Sequence, residues 1–120
     1  MNATIIGPYG PTTLEPTPYP FTIGRAPDNQ LVVNDPKVSS HHAQIRPEGQ
    51  GYEIFDLGSH NGTFVNEQQL IPNLPRFLYS GDQIRIGDTK FTYEAGTMIQ
   101  QPIERTIYGG FDQESNFSYA

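Results

Sequence analysis

Glycine and proline, 12 and 11 of the 120 residues, break this chain so often that no helical apolar period survives anywhere along it. What remains between the breaks is short. The apolar alternations and runs are Ala3 to Ile6, Phe21 to Ile23, Leu31 to Val33, Ala43 to Ile45, Tyr52 to Leu57, Thr63 to Val65, Gln83 to Ile86 and Thr89 to Tyr93, each bounded by Gly, Pro, Asn or Asp. Segments of that length with turn residues between them predict strands. With no helix to cover a parallel sheet, the expected fold class is all-β, an antiparallel β-sandwich of two twisted sheets with loops at its ends.

Two turns stand out. Gly87 and Asp88 separate Gln-Ile-Arg-Ile from Thr-Lys-Phe-Thr-Tyr, and a glycine first in a two-residue loop suits a type II′ hairpin. Asn61-Gly62 is the second, both residue types tolerating positive φ. Pro8, Pro11, Pro16, Pro18 and Pro20 crowd the stretch from Gly7 to Pro20, which is expected to be an edge or an irregular connection because proline has no N–H for a central ladder. From Gly96 to Ala120 the composition shifts to Gln, Ser, Asn and Gly with isolated aromatics. The expected organisation is a domain over 1–95 and a tail or linker over 96–120.

Several function classes recede on composition. The chain has no cysteine, hence no disulfide framework and no thiolate metal site, which fits a reducing compartment. Its first residues lack a basic region followed by an apolar run, so no leader or membrane span is expected and the expected location is the cytoplasm. A net charge of −6 opposes general affinity for nucleic acid, although one phosphate needs only a few local donors. His41 and His42 are adjacent at the entrance to a strand and so should face opposite ways, which does not build a metal site with His60. No cofactor is implied.

Four segments carry polar residues that a strand-and-turn framework does not need: Gly24-Arg25, Ser39-Ser40-His41-His42, Asp56 to Thr63, and Val65-Asn66. Arg25 follows a glycine and projects a five-donor fork suited to phosphate, or pairs with Asp28 or Asp35. Ser39 offers a hydroxyl donor or a local backbone bond. His42, if it faces inward beside Ala43 and Ile45, is expected to be a satisfied structural histidine. Ser39 or Ser59 with His42 and Asp56 has the letters of a hydrolase triad, but no G-x-S-x-G elbow or following helix accompanies them.

Taken in order, Gly24-Arg25, Ser39 to His42, Ser59 to Thr63 and Val65-Asn66 resemble the forkhead-associated (FHA) domain over roughly Ala3 to Glu94. The resemblance implies a sandwich of about eleven strands that binds a phosphothreonine peptide through loops at one end and catalyses nothing. Carried across, Arg25 and Ser39 would contact the phosphate, and Asn61 would hold the peptide backbone after the phosphothreonine. Gly24, His42 and Gly62 would shape the loops; Thr63, Asp56 and Asn66 would supply supporting bonds, together with Ser40 and Ser59. Three positions depart from the family pattern. His60 stands where Thr or Ser is frequent and, if it meets the phosphate, would bind best as an imidazolium, so affinity should rise toward pH 6.5. Ser40 replaces a frequent arginine and Glu67 a frequent glycine, which bears on peptide preference.

The implied partner is a phosphothreonine-bearing protein, with a Ser/Thr kinase or its substrate as candidates. Neither a nucleic acid nor a membrane is an expected partner. Thr106, in Ile-Glu-Arg-Thr-Ile-Tyr, is a candidate phospho-acceptor through which copies would self-associate. Two rivals remain at this point: a degenerate module of the same fold that binds unmodified surfaces or oligomerises, and a small esterase using Ser59 and His42.

Overall fold

The computed structural model describes residues 3–17 and 19–95 of the chain. They form eleven strands: β1 Ala3–Gly7, β2 Gly10–Leu14, β3 Phe21–Gly24, β4 Leu31–Val32, β5 Ala43–Glu48, β6 Gly51–Asp56, β7 Thr63–Val65, β8 Gln68–Gln69, β9 Arg76–Phe77, β10 Gln83–Ile86 and β11 Thr89–Ala95. One sheet has the order β2-β1-β11-β10-β7-β8 and the other β4-β3-β5-β6-β9. Neighbours pair antiparallel except β3 and β4, which run parallel, so the sandwich is mixed at one edge rather than wholly antiparallel.

The alternation read from the sequence becomes the core. Ile84 and Ile86 on β10 and Phe91 and Tyr93 on β11 are buried, while Gln83 and Lys90, each just before a buried residue, are exposed and the intervening Arg85 and Thr92 are half-buried. Ile23, Ala43, Ile45, Tyr52 and Ile54 answer from the other sheet. Each such Ile contributes about 1.5–3 kcal/mol on leaving water. Tyr52 and Tyr93 meet edge to face across the layers at 6.4 Å, and the Tyr52 hydroxyl donates to the Leu14 carbonyl. Burial pushes the Tyr93 phenol up to about 12.

Gly10 to Leu14 form a strand despite Pro11. This resolves the choice left open for the proline-rich stretch: β2 is the outermost strand of its sheet, so one side has no ladder for Pro11 to break. The Gly87-Asp88 hairpin has positive φ at Gly87 (62°) and not at Asp88, the sign pattern of a type II′ turn. Asn66 and Glu67, by contrast, both take positive φ (51° and 64°) in the two-residue loop joining β7 to β8. That hairpin and the two-residue strands β8 and β9 lack an apolar signal in the sequence.

The register decides where the loops gather. Ile23 pairs with Ala43 and Ala43 with Asp56, so the end of β3, the start of β5 and the end of β6 lie at one edge of the sheet. Thr63 begins β7 opposite Ile86, which brings the Gly87-Asp88 turn to the same end.

Candidate functional site

Four connections meet there: residues 25–30, 33–42, 57–62 and the 87–88 turn. Gly24 is the hinge of the first. A Cβ on it would lie 2.2 Å from the Ser40 carbonyl oxygen, so only glycine lets the two loops touch. They then pair by backbone, the Arg25 N–H donating to Ser39 O at 2.9 Å and the Ala26 N–H to Ser40 O at 3.1 Å.

The Arg25 side chain is exposed, and neither carboxylate weighed as its partner takes it. Asp28 meets the ring of His41 at 3.0 Å, and that bond holds the Asp28 carboxyl below its ordinary range. Asp35 accepts the N–H groups of Lys37 and Asp88, which hold its carboxyl below the ordinary carboxylate pKa, and the Thr89 hydroxyl as well. Among the described residues the guanidinium therefore has no carboxylate partner.

Ser39 sits half-buried beside it. The Ser39 hydroxyl oxygen accepts the His60 N–H at 3.0 Å, which joins the second loop to the third and leaves the hydroxyl proton without a partner among the described residues. Asn61 donates from its amide nitrogen to the Lys37 carbonyl at 2.8 Å, so its oxygen stays available to a ligand N–H. The His60 side chain is exposed, and its backbone N–H bonds Ser39.

Beneath these groups lies a polar lattice. His42 is fully buried; its Nδ1 accepts the Ser39 N–H at 3.0 Å, which leaves the proton on Nε2 to be donated to the Gly62 carbonyl at 2.9 Å. One neutral tautomer is thereby fixed. Asp56, 1 % exposed, accepts the Gly58 and Ser59 N–H groups on one oxygen and the Ser59 and Thr63 hydroxyls on the other. The Ser59 oxygen in turn accepts the Gly62 N–H at 2.9 Å. Gly62 closes the loop at φ 88°.

These bonds dismantle the hydrolase reading. Ser59 donates to Asp56, both nitrogens of His42 are engaged by backbone, and Ser39 reaches His42 only through its main-chain N–H. Among the described residues, neither the Ser39 nor the Ser59 hydroxyl bonds a histidine nitrogen.

Ser40 contributes its carbonyl rather than its hydroxyl. Asn66 lies at the far end of β7, where its side chain bonds the Asp82 carboxylate and the Gln83 N–H, so it braces the β9–β10 corner and not the binding loops. Asn29 and Asp35 tie loops together from below; the sequence suggests Asp35 only as a partner for Arg25, and the Asp-Asn pair in Pro27 to Gln30 signals a turn but not the burial of Asn29. Thr106 lies outside the described residues.

The FHA domain model matches residues 21–87, a little over half of the chain. An oxoglutarate dehydrogenase inhibitor of Corynebacterium jeikeium is 39% identical over 62% of this chain and 49% of its own length. A solved structure described as phosphothreonine-dependent FHA domain interactions superposes with a TM-score of 0.72 at 30% identity, covering 82% of this chain and 100% of that one. EmbR of Mycobacterium tuberculosis, in complex with a low-affinity phosphopeptide, gives 0.70 at 35%, covering 81% and 26%. The chain spans about half the length, or less, of the curated relatives first matched. On the fold, the matched residues and the loop constellation together, this chain belongs to the forkhead-associated domain family.

Proposed function

We propose that residues 1–95 form a non-catalytic module that recognises phosphothreonine on a partner protein, with 96–120 as a tail or linker. The observation that carries this is the pairing of a carboxylate-free guanidinium at Arg25 with an undonated hydroxyl at Ser39, on loops bonded backbone to backbone. A phosphate near neutral pH carries −1.5 to −2 charge and three acceptor oxygens, and it fits a fork donor beside a hydroxyl. Arg25 and Ser39 take the phosphate, with the His60 ring beside it. Asn61 holds the peptide backbone on the C-terminal side. Gly24, Ser40, His42, Asp56, Ser59, Gly62 and Thr63 keep the loops in place.

The partner is a phosphothreonine protein such as a kinase or a kinase substrate, met in the cytoplasm. The bound phosphopeptide of the EmbR complex supports the ligand class. No helix among the described residues is long and apolar enough to cross a membrane.

A phosphothreonine peptide library screened against its unphosphorylated twin tests the reading. Charge-assisted bonds contribute roughly 1.5–3 kcal/mol each, and a micromolar complex holds only about 8 kcal/mol. Arg25→Ala is therefore expected to lower affinity by about tens- to hundreds-fold while the melting curve stays in place. Equal binding of the two libraries refutes the proposal.

A further inference from the structure

The two proposed phosphate contacts stand on separate loops, and one buried side chain grips both loops from beneath. Asn29, between β3 and β4, is 7 % exposed. Its amide nitrogen donates to the carbonyls of Ala26, on its own loop, and Ser40, on the next, both at 2.8 Å. Those two residues flank Arg25 and Ser39. Gly24 leaves the space for this contact, since a Cβ there would come within 2.8 Å of the Asn29 nitrogen.

The other half of the carboxamide is anomalous. The Asn29 oxygen is buried without a hydrogen-bond partner. Turning the amide over would set that oxygen against two carbonyl oxygens, so chemistry fixes the orientation as it stands. A buried polar atom left unmatched is unfavourable for folding, and a small apolar side chain would avoid it. What the nitrogen does achieve is specific to the site. It turns two carbonyl dipoles toward the interior, away from any anion above, and sets the separation between the Arg25 and Ser39 backbones.

We propose that Asn29 is a positioning residue of the phosphate site: it aims the Arg25 fork at the phosphate held by Ser39, without touching the ligand. The inference rests on the phosphothreonine reading. It predicts coupling between Asn29 and the shape of the cation, because a fork must be aimed whereas the compact ammonium of a lysine need not be.

The test is a double-mutant cycle on one phosphothreonine peptide by calorimetry, well below the melting temperature, with wild type, Asn29→Ala, Arg25→Lys and the pair. Asn29→Ala alone is expected to weaken binding about tenfold, the factor that one lost hydrogen bond of ordinary strength produces. In the Arg25→Lys background the same change should cost less than about threefold, a deficit that an ordinary structural residue would not show. Asn29→Asp, which faces a carboxylate to the two carbonyls, should bind more weakly than Asn29→Ala. If Asn29→Ala does not fold at the assay temperature, Asn29→Ser, which retains one donor, replaces it in the cycle with the same sign of coupling expected. Equal affinity of a folded Asn29 variant, or penalties that simply multiply, overturns the positioning role while leaving the phosphothreonine reading intact. Failure of wild type to prefer the phosphorylated peptide overturns both.

Discussion

Replacing Gly24 by alanine adds one methyl group at the point where the two phosphate-bearing loops touch. That methyl would lie 2.2 Å from the Ser40 oxygen, 2.8 Å from its carbon and 2.8 Å from the Asn29 nitrogen. An ordinary C···O contact begins near 3.3 Å, so the loops must part by about 1 Å. The obstacle is backbone on one side and a doubly bonded carboxamide on the other, and neither can swing aside as the tip of a flexible side chain would. The movement stretches the Arg25-to-Ser39 and Ala26-to-Ser40 backbone bonds, which are 2.9 and 3.1 Å long. Overpacking of this kind costs about 1–3 kcal/mol, and one weakened hydrogen bond about 1 kcal/mol more. For a domain of this size each kcal/mol lowers the melting temperature by about 4–8 °C, so a fall of about 8–30 °C is expected. Phosphopeptide affinity should fall further than the stability loss explains, because Arg25 and Ser39 move apart in a variant that still folds. Thermal denaturation and calorimetry on the same preparation read the two effects. A Gly24→Ala protein with unchanged melting and unchanged affinity would refute the claim that close backbone contact builds the site.

His42→Ala should cost about 3–5 kcal/mol, since it opens a cavity and strands the Ser39 N–H and Gly62 carbonyl; urea denaturation measures it, and a loss under 1 kcal/mol would contradict the buried network. Asp56→Asn keeps the volume but sets an amide against donors on one oxygen, and about 2–4 kcal/mol should be lost in the same assay, with the 57–62 loop losing amide protection in hydrogen exchange. Glu67→Gly should raise the melting temperature by a few degrees, because Glu67 occupies left-handed backbone at φ 64° and its pair with Arg85 is largely solvated; a fall would mean that the pair outweighs the strain. The Asp35 carboxyl has its folded pKa lowered by the Lys37 and Asp88 N–H groups, so its stabilisation is complete above the unfolded pKa near 3.9 and is lost as the pH falls through the lower folded pKa. Melting curves between pH 6 and 2.5 should accordingly fall more steeply for wild type than for Asp35→Asn, and parallel curves would remove Asp35 from that account.

How much of this could be read from the residues depends on how each contact is encoded. Every apolar run became a strand, because alternation is a local record of which face is buried. Two-residue β8 and β9 carry no such record: Gln68 and Gln69 are exposed, and the pair forms only because the Asn66-Glu67 turn folds the chain back on β7. The family pattern implies Gly24 and His42 as loop-shaping residues and Asp56 as a supporting one; in the structure they lie where the 25–30, 33–42 and 57–62 loops meet. Asn66 follows Thr63 by three residues, and the strand between carries it to the far end of β7, a placement that residue order does not show. The buried roles of Asn29 and Asp35 are hidden for another reason. Asn and Asp in loops ordinarily serve their own turns, and burial against a loop distant in sequence, as when Asp35 meets Asp88 and Thr89, leaves no periodic trace.

The 57–62 connection leaves β6 in one sheet and enters β7 in the other, so Asn61 rides on a bridge between layers while Arg25 and Ser39 belong wholly to one of them. A ligand that touches all three residues spans the seam of the sandwich. Sliding of one layer past the other would then be resisted by the guest as well as by the tyrosine pair, and occupancy at about a hundred times the dissociation constant would add about 2.7 kcal/mol to the cohesion of the whole domain.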